Sequence, residues 1–464
     1  MLNGKWTGKM MRVLPVLMIA VMLMSACGGT AATPTTAPTT AATAMVTEPT
    51  AMATEAATAA ATAMVDASPT AMTGETPTVM AEASPTAAPP PFSKAGTLTI
   101  WADERRVPVI EKAAADFTAK SGIPVAVQQV GFGDIRDQLK LAGPAKEGPD
   151  IIVGAHDWLG ELVSNGLVDS IELGDATSKI DPVGVKAFTY EGKTYGLPYA
   201  LEAIALMYNK DLVPTPPATW DELKAIAKKL KDEGKVDQGY VLQEGDPFHT
   251  YPIVTGFGGY VFKQNPDGTY DPTDVGLDSP GGKAAMKEID QMVKDGLLRK
   301  DVTGAIQESL FKEGKSAMWL TGPWNIEPMT KAGVNFGVAK IPTMAGEARP
   351  FVGVQGFMVS SFGKNKDSAK SFLLDYMATD AAMKAMFDAD PRIPAWASTQ
   401  AQVTDVNVKA FMESASTGQP MPAIPQMSAV WDDWTKAIKI VFQQQQDPEA
   451  AITDAANSIR SKIK

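Results

Sequence analysis

The sequence predicts an α/β protein of two lobes whose chain crosses between them more than once. Three observations carry that expectation. Strand and helix signals alternate from Thr97, a second alternation begins after Tyr199, and 464 residues exceed what one ordinary hydrophobic core organises.

The first strand signal is Thr97-Leu98-Thr99-Ile100-Trp101. A helix follows, with Pro108 near its start, Val109, Ala113 and Phe117 on one face, and Gly122 as its stop. Next come an extended Ile123 to Val130, a short helix from Asp134 to about Leu141, and the apolar strand Asp150-Ile151-Ile152-Val153. An uninterrupted apolar run suits a strand covered on both faces, as parallel sheets require. In the second alternation, Thr219-Trp220-Asp221-Glu222 is a capping-box start feeding Leu223, Ile226, Ala227 and Leu230, and Gly234 ends that helix. Further helices are expected from Gly282 to Asp295 and Ala305 to Glu313, and strands at Ala317 to Leu320 and Phe336 to Ala339. From about Lys366 onward the chain reads as mainly helical.

Charge and composition exclude several function classes. The 53 acidic against 42 basic residues give a net charge of -11, and no dense Lys/Arg stripe is present, so nucleic acid is not an expected partner. One Cys forms no internal disulfide, and two His, at 156 and 249, supply no zinc cluster. Neither a phosphate-cradling glycine loop with Lys nor a Ser nucleophile elbow occurs. Neither a metal nor a cofactor is expected.

The N-terminal hundred residues read differently from the rest. Lys5, Lys9 and Arg12 precede the apolar Val13 to Met24, a secretory signal too short to span a bilayer. Its end, Leu23-Met24-Ser25-Ala26-Cys27-Gly28, resembles a bacterial lipobox, in which the Cys is lipidated and becomes the new N-terminus. From Gly28 to Pro91, 20 Ala, 17 Thr and 9 Pro with no Lys or Arg make a segment that buries too little apolar surface to fold. Residues 1–26 are thus expected as signal peptide and 27–93 as lipidated Cys27 plus tether.

In the body, Trp residues stand near acids and at strand ends. Sugar C–H faces pack on aromatic rings while hydroxyl edges donate to carboxylates, so Trp with Asp or Glu is the signature of a carbohydrate cleft. Trp220 reads as a helix-start residue and Trp319 as strand core. Trp158, after Asp157, and Trp324, after Gly322-Pro323, are the better cleft candidates.

The blocks Gly148-Pro149-Asp150-Ile151-Ile152-Val153-Gly154-Ala155-His156-Asp157-Trp158, Leu197-Pro198-Tyr199-Ala200-Leu201-Glu202-Ala203, Thr321-Gly322-Pro323-Trp324 and Met421-Pro422-Ala423-Ile424-Pro425 closely resemble the maltose and maltodextrin-binding proteins of ABC importers. They keep order and approximate spacing across the whole body. The resemblance implies a two-lobed periplasmic-binding-protein fold, with 94–200 and 357–400 as N-lobe, 204–350 and 406–464 as C-lobe, and hinges near 200–203, 352–355 and 399–406. It implies sugar contacts from Glu104, Arg105, Asp157, Trp158, Glu202, Phe248, Trp324, Met421 and Trp431. One further carboxylate falls on Asp246 or Glu244. Enteric members place Trp before Ala-His-Asp and Arg after it; here these are Gly154 and Trp158, as in the maltotriose-binding branch. His156, beside an apolar strand, reads as structural, and Arg392 stands at the cleft rim or pairs with acids.

The function so implied is capture without catalysis of α-linked maltooligosaccharide outside the cytoplasmic membrane, by a monomer anchored through Cys27, and delivery to the membrane subunits of an ABC permease. The rivals are a binder of another oligosaccharide or a disaccharide such as trehalose, a surface glycoside hydrolase, and a stalked adhesin.

Overall fold

A computed structural model of the chain describes residues 96–463. The expected signal, Cys27 and the tether lie outside the described residues. Within them, the apolar runs Leu98–Ala102, Ile151–Ala155 and Leu197–Ala203 are strands buried along their whole length, as two-sided coverage demands. They belong to a sheet ordered Ile393–Pro394, Leu197–Ala203, Phe351–Ser360, Ile151–Ala155, Leu98–Ala102, Val125–Gln129. Leu98–Ala102 runs parallel to both neighbours, whereas the long strand Phe351–Ser360 runs antiparallel to both of its own. Helices Val107–Ser121 and Phe132–Ala142 supply the crossovers that parallel pairing requires.

A second sheet contains Phe336–Ala339, Ala205–Asn209, Ser316–Thr321 and Gln238–Val241 in that order. Strand alternation divides its side chains between two cores. Ala205, Met207 and Trp319 face one cluster, shared with the first sheet, and Leu206, Tyr208, Met318 and Leu320 face the other. The second cluster is completed by Trp220, Leu223, Ile289 and Trp434, from helices Trp220–Asp232, Pro280–Lys294 and Ser428–Gln443. The capping box forms as its spacing requires: Thr219 Oγ1 accepts the Glu222 N–H at 3.2 Å, and Glu222 Oε2 accepts the Thr219 N–H at 3.3 Å. Such a cap contributes about 1 kcal/mol.

The architecture is the two-lobed α/β fold with chain crossings between the lobes. The first crossing is abrupt: Ala203 ends a strand of the first sheet, and Ala205 begins one of the second. Phe351 and Val352 pair with Gln419 and Pro420, laying these two segments side by side. Residues Ala397–Gln400 and Val406–Thr417 are helices, and Val408 and Phe411 of the latter join the cluster that the two sheets share.

Candidate functional site

Beyond the carboxyl ends of strands in both sheets lies a cavity of about 450 Å³. That is where open α/β sheets present ligand-binding residues, because loops, not strands, end there. All ten residues expected to contact ligand line it: Glu104, Arg105, Asp157, Trp158, Glu202, Asp246, Phe248, Trp324, Met421 and Trp431. Asp246 and Glu244, the two candidates for the further carboxylate, are placed differently. Asp246 lines the cavity, whereas Glu244 accepts hydrogen bonds from the Asp301 backbone N–H and the Gln443 amide.

Two glycines make room for the two strand-end indoles. A Cβ on Gly154 would lie 2.1 Å from the Trp158 ring, and one on Gly322 would lie 2.1 Å from the Trp324 ring. Trp158 packs on Phe132 with centroids 4.9 Å apart. On the other side, Phe248 packs on Trp324 at 6.1 Å and on Phe351 at 6.2 Å; Phe351 in turn meets Trp431 at 6.1 Å and stacks on Tyr251 at 3.5 Å. The cavity aromatics of the second lobe are thus the exposed end of a ladder rooted in that lobe's core.

The floor of the cavity is a buried ionic network around Glu202. Arg106 and Arg392 both reach its Oε1, and the Gln355 amide donates to its Oε2 at 2.9 Å. Arg106 also pairs with Asp103 and donates to the Tyr199 hydroxyl, and Arg392 pairs with Asp390. Burial alone would lower the Arg106 guanidinium; Tyr199 and Asp103 beside it hold it above its ordinary value. Burial, with Arg106 close by, lowers Arg392 to about 9, still protonated at neutral pH. Burial likewise pushes Asp390 up to about 6.

Asp157 sits at the mouth of the first-sheet strand Ile151–Ala155. Burial pushes its carboxyl up to about 6, against the pull of Arg136 and of a hydrogen bond from the Trp431 side chain. His156 beside it is structural. Its Nδ1 accepts the Val354 N–H at 3.0 Å, so the proton resides on Nε2, which donates to the Met421 carbonyl at 3.0 Å. Burial lowers it to about 4. The imidazole therefore ties the end of Ile151–Ala155 to strand Phe351–Ser360 and to the segment at Met421. Arg105, at the rim, donates to the Trp324 carbonyl at 3.0 Å and pairs with Glu308 at 3.1 Å, joining the loop after Leu98–Ala102 to helix Gly304–Lys312.

Asp103, Arg106, Phe132, Arg136, His249 and Gln355 also line the cavity and were not singled out from the sequence. Only Gln355 left a readable signal, as a lone amide within the otherwise apolar strand Phe351–Ser360. Among the described residues, no group of three or more His, Cys, Asp or Glu is arranged to hold a metal, and no helix is long and apolar enough to cross a membrane.

A two-lobed α/β fold with an aromatic and carboxylate-lined cavity fed by both sheets defines a solute-binding protein. Residues 112–415 match the family of bacterial extracellular solute-binding proteins, and the chain belongs to that family. It is 30% identical over 384 residues to the galactooligosaccharide-binding protein of Bacillus subtilis, covering 80% of this chain and 90% of the relative. It is 29% identical over 385 residues, with the same coverage, to a maltooligosaccharide ABC transporter solute-binding lipoprotein of Streptococcus pneumoniae. To the maltotriose-binding protein of Pyrococcus abyssi it is 30% identical over 339 residues, 69% of this chain and 71% of the relative.

Proposed function

We propose that this protein is the substrate-binding subunit of a sugar ABC importer, that it binds maltooligosaccharides of the maltotriose type, and that it catalyses no reaction. One observation carries the reading: indoles and carboxylates converge on a single cavity whose arginines are already ion-paired. Arg106 and Arg392 pair with buried acids, Arg105 with Glu308, and Arg136 with Glu161 at 3.5 Å. A cleft with its cations so committed suits a neutral ligand that stacks and donates hydroxyls better than a carboxylate or phosphate. In this reading Trp158, Trp324, Trp431 and Phe248 form the stacking surface, with Met421 beside them. Asp157, Glu202, Glu104, Arg105 and Asp246 form the polar frame.

The lobes are proposed as 94–200 with 357–400 and 204–350 with 406–464, moving about 200–203, 352–355 and 399–406. Ligand drives closure only through its differential affinity for the open and closed states. The lipobox-like Leu23-Met24-Ser25-Ala26-Cys27 supports anchoring at the outer face of the cytoplasmic membrane through lipidated Cys27, with the closed protein docking as a monomer on the permease. The relative named for galactooligosaccharides supports a second reading, in which the cleft takes galactosides. Titrating intrinsic Trp fluorescence with maltose, maltotriose, trehalose and a galactooligosaccharide separates the two. A response to maltotriose at the lowest concentration is expected, and a response to galactosides alone overturns the maltooligosaccharide assignment.

A further inference from the structure

Asp246 engages His249 twice at the N-terminus of helix Pro247–Gly256. Its Oδ1 accepts the His249 backbone N–H at 3.1 Å, and its Oδ2 lies 2.7 Å from His249 Nδ1. An ionised carboxylate only accepts, so the proton at the second contact belongs to Nδ1. In the neutral ring this leaves Nε2 with its lone pair free. Among the described residues Nε2 has no hydrogen-bond partner, and it is not among the buried polar atoms sealed from solvent. The ring lines the cavity and is held edge to face against Trp324, with centroids 5.8 Å apart at 86°. Phe248 braces it at 5.8 Å.

Capping the helix explains the bond from Asp246 to the backbone but not the second bond to the imidazole. A cap needs one acceptor oxygen and a backbone N–H; the ring is surplus to it. What the second bond does is fix a tautomer and aim an acceptor beside an indole platform. A sugar packed on an indole turns its hydroxyl edge toward the platform's rim, where such an acceptor is satisfied by an O–H donor. His156 is the contrast within the same chain: both of its nitrogens are consumed by backbone groups, and its proton is on the opposite nitrogen.

Resting on the reading of the cleft as a maltooligosaccharide site, we infer that His249 contacts the ligand: its Nε2 accepts a hydrogen bond from a hydroxyl of the glucosyl unit beside Trp324, and Asp246 acts as a positioning residue through His249. The pair adds a polar contact on the second-lobe side that favours hydroxyl donors over anions.

The test uses the whole protein labelled with ¹⁵N in its imidazoles, which is tractable because the chain has two His. The free protein is expected to give one ring protonated on Nε2, His156, and one protonated on Nδ1, His249; the second set disappears in His249→Phe. Adding maltotriose is expected to move the His249 Nε2 resonance toward its hydrogen-bonded position. His249→Phe, which keeps an aromatic ring against Trp324, is expected to weaken maltotriose binding about tenfold, the size of one neutral hydrogen bond. Asp246→Asn keeps a cap acceptor but turns an amide toward the ring, and is expected to abolish the Nδ1-protonated signal while the protein stays folded. Wild type that binds maltotriose with an unmoved Nε2, or His249→Phe that binds as tightly as wild type, overturns this inference and leaves the functional reading standing. A proton found on Nε2 of His249 in the free protein also overturns it. Wild type that binds no maltooligosaccharide overturns the functional reading and the sugar contact with it.

Discussion

The Trp158 indole occupies the space into which a side chain at Gly154 would project, with Cζ3 only 2.1 Å from the site of the missing Cβ. Gly154 and Trp158 are therefore one structural unit: an aromatic platform at 158 requires glycine at 154. Gly322 and Trp324 repeat the relationship on the second sheet.

Gly154→Ala and Gly322→Ala are each expected to displace the paired indole and weaken ligand binding by at least tenfold. A Cβ at 2.1 Å leaves the ring no rotation that keeps its place, whereas each indole stands at the edge of its lobe and moves without unfolding it. Calorimetric titration with maltotriose measures the loss, and circular dichroism checks the fold. Unchanged affinity in both variants would show that neither ring position matters to the ligand.

Removing Glu202 leaves Arg106 and Arg392 facing each other without their shared acid. Glu202→Ala is expected to cost about 3 kcal/mol, the lower end of the range for breaking a buried ion pair, because Asp103 and Asp390 still pair with the two arginines. Glu202→Gln, which still accepts one hydrogen bond, should cost less. Urea denaturation of the two variants gives the comparison, and equal stabilities would mean that the network contributes little.

Asp157 gives a pH signature with a definite sign. Burial raises its folded pKa from 3.8 to about 6, so the folded state binds the proton more tightly than the unfolded state does. The stabilisation is present below pH 3.8 and is lost as pH rises through 6. Asp157→Asn should therefore gain about 2 kcal/mol relative to wild type between pH 4 and pH 7. The same variant should bind maltotriose more weakly at pH 7. Denaturation at the two pH values tests the first expectation, and a difference that shrinks toward pH 7 reverses its sign.

The rim pair Arg105 and Glu308 joins an element of the first lobe to one of the second at 3.1 Å. Its side chains are 35% and 22% exposed, so solvent screening limits the coupling to roughly 0.2–1 kcal/mol. A double-mutant cycle of Arg105→Met and Glu308→Gln on maltotriose affinity should return a coupling in that range, diminishing in high salt. Zero coupling would leave the pair without influence on binding.

Much of this molecule is legible locally. The capping box at Thr219 and Glu222 depends on residues three apart, and the apolar runs at Ile151 and Leu197 announce buried strands without reference to partners. The ten expected cavity residues came from the family resemblance, with Trp158 and Trp324 marked also by their places after strands, and every one lines the cavity. Arg106 was not legible, because the sequence presents it beside Arg105 with nothing to show which is buried. Arg106 lies 5% exposed against Glu202, while Arg105 stays at the rim. Glu244 and Asp246, two residues apart in one loop, were separable only by where that loop folds.

By itself, then, the sequence determined the two-lobed α/β class, the placement of indoles after strands and the family to which the chain belongs. The class and the indole placement rest on periodicity and position within a few residues, and the family rests on the resemblance of motif blocks kept in order across the body. Tertiary structure alone decided how the charges pair and which atoms remain free for a ligand. Glu202 meets Arg106, 96 residues earlier, and Arg392, 190 residues later, and that meeting commits both cations. The two histidines look alike in composition, yet folding gives one to the backbone of Val354 and Met421 and turns the other toward the cavity. Hydrogen bonding is directional and burial depends on distant chain, so neither outcome is contained in any local stretch of residues.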